Sequence, residues 1–368
     1  MSKLNKIGYS LQDVAIVQSS ISNQTHRGDV DPFVDICGRK SFPIFVAPMA
    51  SVTDEKNYKV WIENNVTPVI PRSIQMRLSI KERLNLARTT FVSFSLREAE
   101  RIFAFVDKAK AKKDFFNNGN IYICIDIAHG TLSNLFDICR NIKIEYKSDV
   151  VIMTGNVANP DAYENYCKSG IDFMRACIGT GSRCTTSCAV GIHYPTASLI
   201  DELVSKRNEI KQKVNYVHGI KSYYNKEKKE AIDEPFTITK IIVDGGISWY
   251  DDINKSLALG ADAVMIGRLF AECEESCGKI EIDENTHVKK RLYSGMSHRS
   301  MQKITGGDGS KVSEGICQYV EVKYPVKHFL SNMESYLRSC MTYTNSSTIE
   351  DLKKSEMIIL GSGQTYKK

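Results

Sequence analysis

Lys240-Ile-Ile-Val-Asp-Gly-Gly246 and, one helical segment later, Ala261-Asp-Ala-Val-Met-Ile-Gly-Arg268 decide how this chain is read. Each holds a short run of aliphatic, largely β-branched residues without strict polar alternation, the pattern of a strand buried on both faces. Each run stops on residues that a core does not select: Asp244-Gly-Gly246 in one, Gly267-Arg268 in the other. Between them, Tyr250–Leu259 places its apolar residues at helical spacing. Strand, polar end, amphipathic helix and strand together make a parallel β/α unit.

The same unit recurs upstream. Further strand-like runs are Pro43–Pro48, Thr67–Ile70, Thr90–Phe94, Ile121–Ile127, Val150–Thr154 and Ile171–Ala176, which brings the total to eight. Asp161–Ser169 is a second amphipathic spacer, and several runs end on Met49-Ala-Ser-Val-Thr53, Asp126-Ile-Ala-His-Gly130, Gly155-Asn156 or Gly179–Cys184. In a barrel the C-terminal strand ends converge on one face, where the active site is built. The expectation is therefore an α/β fold, a (β/α)8 TIM barrel, with residues 1–368 as one catalytic domain. A doubly wound open sheet is the alternative, although no GxGxxG follows an early strand. Residues 208–234, with Lys-Glu-Lys-Lys-Glu and few apolar residues, read as a solvated insertion. Residues 278–318, which include Gly306-Gly-Asp-Gly309, read as an active-site loop and flap.

Composition narrows the function classes. Among 368 residues, 49 basic and 43 acidic side chains give a net charge of +6, which suits a small anionic substrate and is too diffuse for nucleic acid. The 11 cysteines include no CxxC pair, and Cys124 and Cys177 sit in apolar runs as small core residues. The N-terminus lacks an apolar signal core and no stretch approaches the roughly 18 apolar residues of a membrane span. A reducing cytoplasm with free thiols is expected, and no membrane partner.

Three glycine-rich strand ends suit a phosphate: Gly179, Gly181 and Ser182; Asp244-Gly-Gly246; and Gly267-Arg268. Arg268 can add a charge-assisted bond, whereas Asp244 would repel phosphate and better suits a ribose diol. Cys184 stands out among the cysteines because glycines and hydroxyls surround it on a loop, the setting of an accessible thiol. Thr185 and Thr186 can position a leaving group or water. Threonine needs a carboxylate partner to take its proton, and Ser313-Glu314-Gly315 offers one.

Gly179-Thr-Gly-Ser-Arg-Cys-Thr-Thr186 resembles the cysteine loop of the IMP dehydrogenase/GMP reductase family, usually Gly-x-Gly-Ser-x-Cys-x-Thr. The resemblance extends to Pro43-Ile-Phe-Val-Ala-Pro-Met49, Cys124-Ile-Asp126, Gly155-Asn-Val157, Asp244-Gly-Gly246, Tyr293-Ser-Gly-Met296 and Leu337-Arg-Ser339, in family order over nearly the whole chain. It implies attack of Cys184 on purine C2 to give a covalent adduct, with hydride exchanged by a nicotinamide cofactor, NADPH or NAD. By motif match, Ser182, Gly246 and Gly267 lie at the phosphate and Asp244 at the ribose. Tyr293, Gly295 and Met296 line the nucleotide pocket, Thr186 pairs with Glu314 for proton transfer, and Asp126 and Asn156 lie by the reacting face on the cofactor side. A potassium ion held by Gly179, Gly181 and Cys184, and a homotetramer, are further family implications.

The flap Ile304-Thr-Gly-Gly-Asp-Gly-Ser-Lys-Val-Ser-Glu314 is short and lacks the dehydrogenase's Arg-Tyr pair, and no regulatory domain interrupts the second and third strands. Lys311-Val-Ser313-Glu314-Gly315 looks like the reductase's Arg-x-Ser-Glu-Gly, which favours GMP reductase. Gly315-Ile316 and the tail Ser339-Cys-Met-Thr-Tyr-Thr344 through Ile359-Leu-Gly-Ser362 instead resemble IMP dehydrogenase. Cys177 replaces a family glycine, Arg183 a small apolar residue and Arg268 a Gly or Ser, and Pro71-Arg72 stands where the reductase often has His-Lys. A non-catalytic nucleotide-binding barrel is the reading from a different class. It would need none of Cys184, Thr186 and Glu314.

Overall fold

The computed structural model describes residues 6–102, 104, 119–180, 186–213, 219–225, 230–294 and 317–361. Eight parallel strands close into a barrel: β1 (Ile44–Val46), β2 (Thr67–Ile70), β3 (Phe91–Phe94), β4 (Ile121–Asp126), β5 (Val150–Val157), β6 (Phe173–Ala176), β7 (Lys240–Asp244) and β8 (Ala263–Ile266). Each of the eight runs read from the sequence carries one of these strands. Pairing of β8 with β1, Val264 opposite Ile44, closes the circle and rules out the open sheet. β5 runs three residues past the expected Thr154, because its pairing with β6 continues through an irregularity between Gly155 and Val157.

Side-chain parity divides the strands into two cores. Ile44, Val46, Val92, Ile123, Ile152, Met174, Ile241, Val243 and Val264 point outward into the shell shared with the helices. Phe45, Val69, Phe91, Tyr122, Met153, Phe173, Ile242 and Met265 point inward and fill the lumen. There Phe45, Phe91 and Phe173 meet edge to face, with centroids 5.5–5.9 Å apart. Edge-to-face pairing sets positive ring edges on negative faces, adding about 0.5–1.5 kcal/mol per pair to the area buried. A hairpin, Val34–Ile36 with Arg39–Ser41, adds Ile36 to this cluster and plugs the N-terminal end.

Two strand starts use the same local device. In Gly170-Ile-Asp172 and Gly260-Ala-Asp262 the carboxylate accepts from a backbone N–H of the preceding strand, Ile152 and Ile241 respectively, both at 2.7 Å. A cation then compensates each buried carboxylate: Lys143 at 2.6 Å for Asp172, and Arg207 at 2.9 Å with Lys353 at 2.7 Å for Asp262. Burial without these partners would be prohibitive.

The helix Thr196–Lys213 runs into the stretch 208–234, which then holds two antiparallel strands, Gly219–Asn225 and Glu230–Phe236. Within 278–318 lie the strands Ile280–Ile282, Lys289–Ser294 and the start of Cys317–Glu321, paired as one antiparallel sheet. Arg291, fully buried, pins that sheet to the barrel by donating to the carbonyls of Ala271, Cys273 and Glu274. The tail forms the helix Val326–Tyr343, and the strand Met357–Ile359 pairs with Val14–Ile16. Among the described residues, no helix is long and apolar enough to cross a membrane.

Candidate active site

Following the inward-facing positions upward, the lumen changes character within two residues. On β6 the inward position after Phe173 is Arg175; on β4, Tyr122 and Cys124 lead to Asp126; on β7, Ile242 leads to Asp244. Arg175 is buried and spans the mouth. Its Nη1 donates to Asp126 Oδ1 at 2.6 Å, while Nε and Nη2 reach Asp244 Oδ2 at 2.9 and 2.8 Å. Asn156, from the end of β5, donates to the same Asp244 oxygen at 2.7 Å and to the Cys177 carbonyl at 3.1 Å. From the end of β2, Arg72 Nε stands 3.4 Å from Asp126 Oδ2.

Gly155 makes this geometry fit. A Cβ there would lie 2.5 Å from the Arg175 carbonyl oxygen and 2.6 Å from its Cβ, so any side chain would force β5 and β6 apart. Burial alone would push the Asp126 carboxyl up, but Arg175 and Arg72 outweigh it and hold it below the usual carboxylate range. Desolvation would likewise lower Arg175, yet Asp244 and Asp126 keep it well above its ordinary value. Burial pushes the Cys124 thiol up to about 11 and Cys177 to about 12, so neither is a thiolate at neutral pH.

The strand ends chosen for phosphate are brought together in pairs. At Gly246, with φ 79°, a Cβ would meet the Thr180 side chain at 3.4 Å, which sets the β7 turn against the base of the cysteine loop. Gly179 is also at positive φ, 77°, and its carbonyl accepts from Ser187 Oγ at 3.1 Å. Cys177, the residue in place of a family glycine, has φ 94°, a region that costs a side chain energy. At Gly267 a Cβ would strike Tyr293 Oη at 2.6 Å and Met49 Sδ at 2.9 Å. Tyr293 is buried there, its hydroxyl donating to Met49 Sδ at 3.2 Å, so β8, the β1 loop and the flap sheet meet at this point. Arg268 opens the short helix that follows. Its side chain, 46% exposed, lies 3.5 Å from Glu272, which Lys323 also holds at 2.8 Å.

Gly181, Ser182, Cys184, Gly295, Met296, Lys311, Ser313, Glu314 and Gly315 lie outside the described residues. Thr186 begins the helix Thr186–Val190, but its side chain lies outside them too. Arg175 is the site residue that sequence reasoning does not single out, because it sits in an apolar run. The available signal is its parity: an arginine two residues after Phe173 on a strand buried on both faces must find carboxylates inside the barrel. Asp126 and Asp244, at the ends of two other strands, are candidates from the sequence alone.

The family model for the IMP dehydrogenase / GMP reductase domain matches residues 8–367. GMP reductase of Photobacterium profundum is 30% identical over 235 residues, 64% of this chain and 59% of that protein. Inosine-5'-monophosphate dehydrogenase of Chlorobaculum parvum is 31% identical over 249 residues, 64% of this chain and 44% of that protein. GMP reductase of Vibrio atlanticus is 28% identical over 320 residues, 85% of this chain and 81% of that protein. The chain thus spans about three-fifths or less of the length of the first two relatives. A model match over almost all of its length nevertheless places this chain in the IMP dehydrogenase/GMP reductase family.

Proposed function

We propose that the chain is a purine nucleotide oxidoreductase of the GMP reductase type, converting GMP and NADPH to IMP, ammonia and NADP through a covalent Cys184 adduct. The observation that carries the nucleotide chemistry is the convergence of Asp126, Asn156 and Asp244 on one barrel mouth, with Gly246 packed against Thr180 at the base of the cysteine loop, and the Lys311-Val-Ser-Glu-Gly315 sequence favours the reductase direction.

Arg175 and Asn156 both donate to Asp244 Oδ2, which among the described residues leaves Oδ1 to accept a ribose hydroxyl. Backbone N–H groups at Gly246 and Gly267, with Ser182, take the phosphate, and Arg268 turns from Glu272 to add a charge-assisted bond. Lys311, Ser313 and Gly315, with Gly295 and Met296, complete the nucleotide pocket. The Cys184 sulfur adds to C2, and the exocyclic amine leaves as ammonia after taking a proton through Thr186 and Glu314. When bound, the nicotinamide cofactor supplies the hydride that replaces the amine at C2, and the C–S bond then breaks to return the thiolate. Arg72 fits such a cofactor: its side chain is 29% exposed, and among the described residues its buried Nε has no partner nearer than Asp126 Oδ2 at 3.4 Å. The Gly179 carbonyl keeps a lone pair beyond its bond to Ser187, which suits a potassium ion shared with the backbone oxygens of Gly181 and Cys184. We assign the enzyme to the cytoplasm, in keeping with its free thiols, and to a homotetramer, in keeping with the exposed rings of Tyr336 and Tyr343 on the helix Val326–Tyr343 and of Trp249 at the start of the helix Tyr250–Ala258.

The dehydrogenase reading, IMP with NAD and water to XMP, is favoured by Gly315-Ile316 and the tail. Absorbance at the nicotinamide band separates the two. Loss of NADPH with GMP is expected, whereas gain of NADH with IMP would reassign the direction. Silence in both assays, with a nucleotide still raising Tm, would make this a binding barrel. Cys184→Ala is expected to lower kcat by at least about 1,000-fold while nucleotide binding persists, and full activity in that variant would overturn the mechanism.

A further inference from the structure

We propose that Arg175 is the positioning residue of the barrel mouth, one guanidinium that balances and aims the facing carboxylates of Asp126 and Asp244 and so builds the nucleotide and cofactor subsites together. The identity of the ligands rests on the reading above; the charge relation does not.

Asp126 and Asp244 end strands that are not neighbours in the barrel, yet each bonds the same side chain at 2.6–2.9 Å. The rigid, planar fork makes this bridge possible: Nη1 faces one carboxylate while Nε and Nη2 face the other. A lysine ammonium on a flexible stem has no such fixed pair of directions. The other charged or titratable groups around the bridge do not duplicate it. Among the described residues, Arg72 forms an ion pair with Asp126 and none with Asp244. Cys124, 3.7 Å from Arg175 Nη1, and Cys177, beside Asp244, are both held protonated by burial, as is the Tyr166 phenol near Arg175. Asn156 supplies Asp244 with a neutral donor. Without Arg175, Asp244 has no cation among these partners, and two carboxylates face each other in a lumen closed off from below by the aromatic cluster. Such a pair relieves its repulsion by taking up a proton between them.

Three variants test this, read by inosine 5'-monophosphate affinity and by urea midpoint between pH 6 and 8. Arg175→Met is expected to weaken IMP binding about 100-fold at pH 8. The loss should shrink, and the urea midpoint rise, toward pH 6 as the pair takes up a proton; the unaltered protein should be flat over this range. Arg175→Met with Asp126→Asn removes the excess charge and should recover most of the midpoint and at least about tenfold of the IMP affinity. Arg175→Lys should keep the midpoint but not the affinity, since charge returns without the fork. If Arg175→Met fails to fold, recovery of folded protein by the added Asp126→Asn supports the proposal, and its absence overturns it. A pH-independent loss without rescue, or unchanged IMP affinity in Arg175→Met, also overturns it. If the unaltered protein binds no IMP, the functional reading fails, while the pH dependence of the midpoint still decides the charge relation.

Discussion

The lower and upper halves of the barrel lumen are built by the same strands and follow opposite rules. Below, Phe45, Phe91, Phe173 and Tyr122 pack as an apolar cluster around edge-to-face rings. Above, one step along the inward parity, Arg175, Asp126 and Asp244 form a charged cluster with Asn156. Among the described residues the lower layer buries no charged side chain, because nothing there can solvate a charge, and its buried hydroxyls Ser41 and Thr67 meet each other. The upper layer keeps charges because they are paired, and because it lies at the open end of the barrel, above the aromatic cluster. Stability and recognition are thus divided along the barrel axis, as the fold's general division between its two faces leads one to expect.

The division is most strongly challenged from below. Phe91→Ala is expected to cost about 3–5 kcal/mol in urea unfolding, by lost transfer energy and the cavity left among the rings. Its KM for the nucleotide should stay within about twofold, since folded molecules keep the upper layer intact; a much larger KM would mean the layers are not separable. Gly155→Ala attacks from above. Its Cβ would press on the Arg175 backbone at 2.5 Å, costing about 1–3 kcal/mol and weakening the nucleotide more than Phe91→Ala does. Gly191, also at positive φ (75°, against 155° for Gly155) but with nothing within 4 Å, is the control: its alanine variant should lose stability through backbone strain alone and leave KM unchanged.

Two smaller effects sharpen the comparison. Cys177→Gly should raise stability by about 1 kcal/mol, because glycine accepts φ 94° without strain. A loss of stability would show that packing of the thiol outweighs the strain. The last effect is on pH. Asp126 is held below the usual carboxylate range, so its pairing contributes fully above the unfolded-state value of about 4. The contribution is lost as pH falls through the folded value. Urea midpoints should decline below about pH 4, and Asp126→Asn should show a shallower decline; an equal slope would assign the acid sensitivity elsewhere.

Much of this is legible in the chain because its information is local. Lys240–Val243 and Ala261–Ile266 are strands on composition alone, and their abrupt polar ends mark the functional face. The amphipathic spacing of Tyr250–Leu259 makes the connection a helix. Cys177 is visible as an oddity in the sequence, and its backbone angle gives the oddity a cost. Arg268 is legible as a cation at a phosphate position, but its parking on Glu272 depends on Lys323 and Glu272 from outside the motif. Arg175 escapes a reading of its run for hydrophobicity, because only the face each residue takes reveals it.

The sequence by itself determined the β/α period, the eight strands, the polar strand ends and the family motifs around Cys184, since each is a property of residues within a few turns of one another. Only the tertiary structure decided that Arg175 meets Asp126, 49 residues away, and Asp244, 69 residues away, in one buried cluster. That meeting requires barrel closure and a register that turns all three side chains inward. Closure is a long-range event that no single segment encodes.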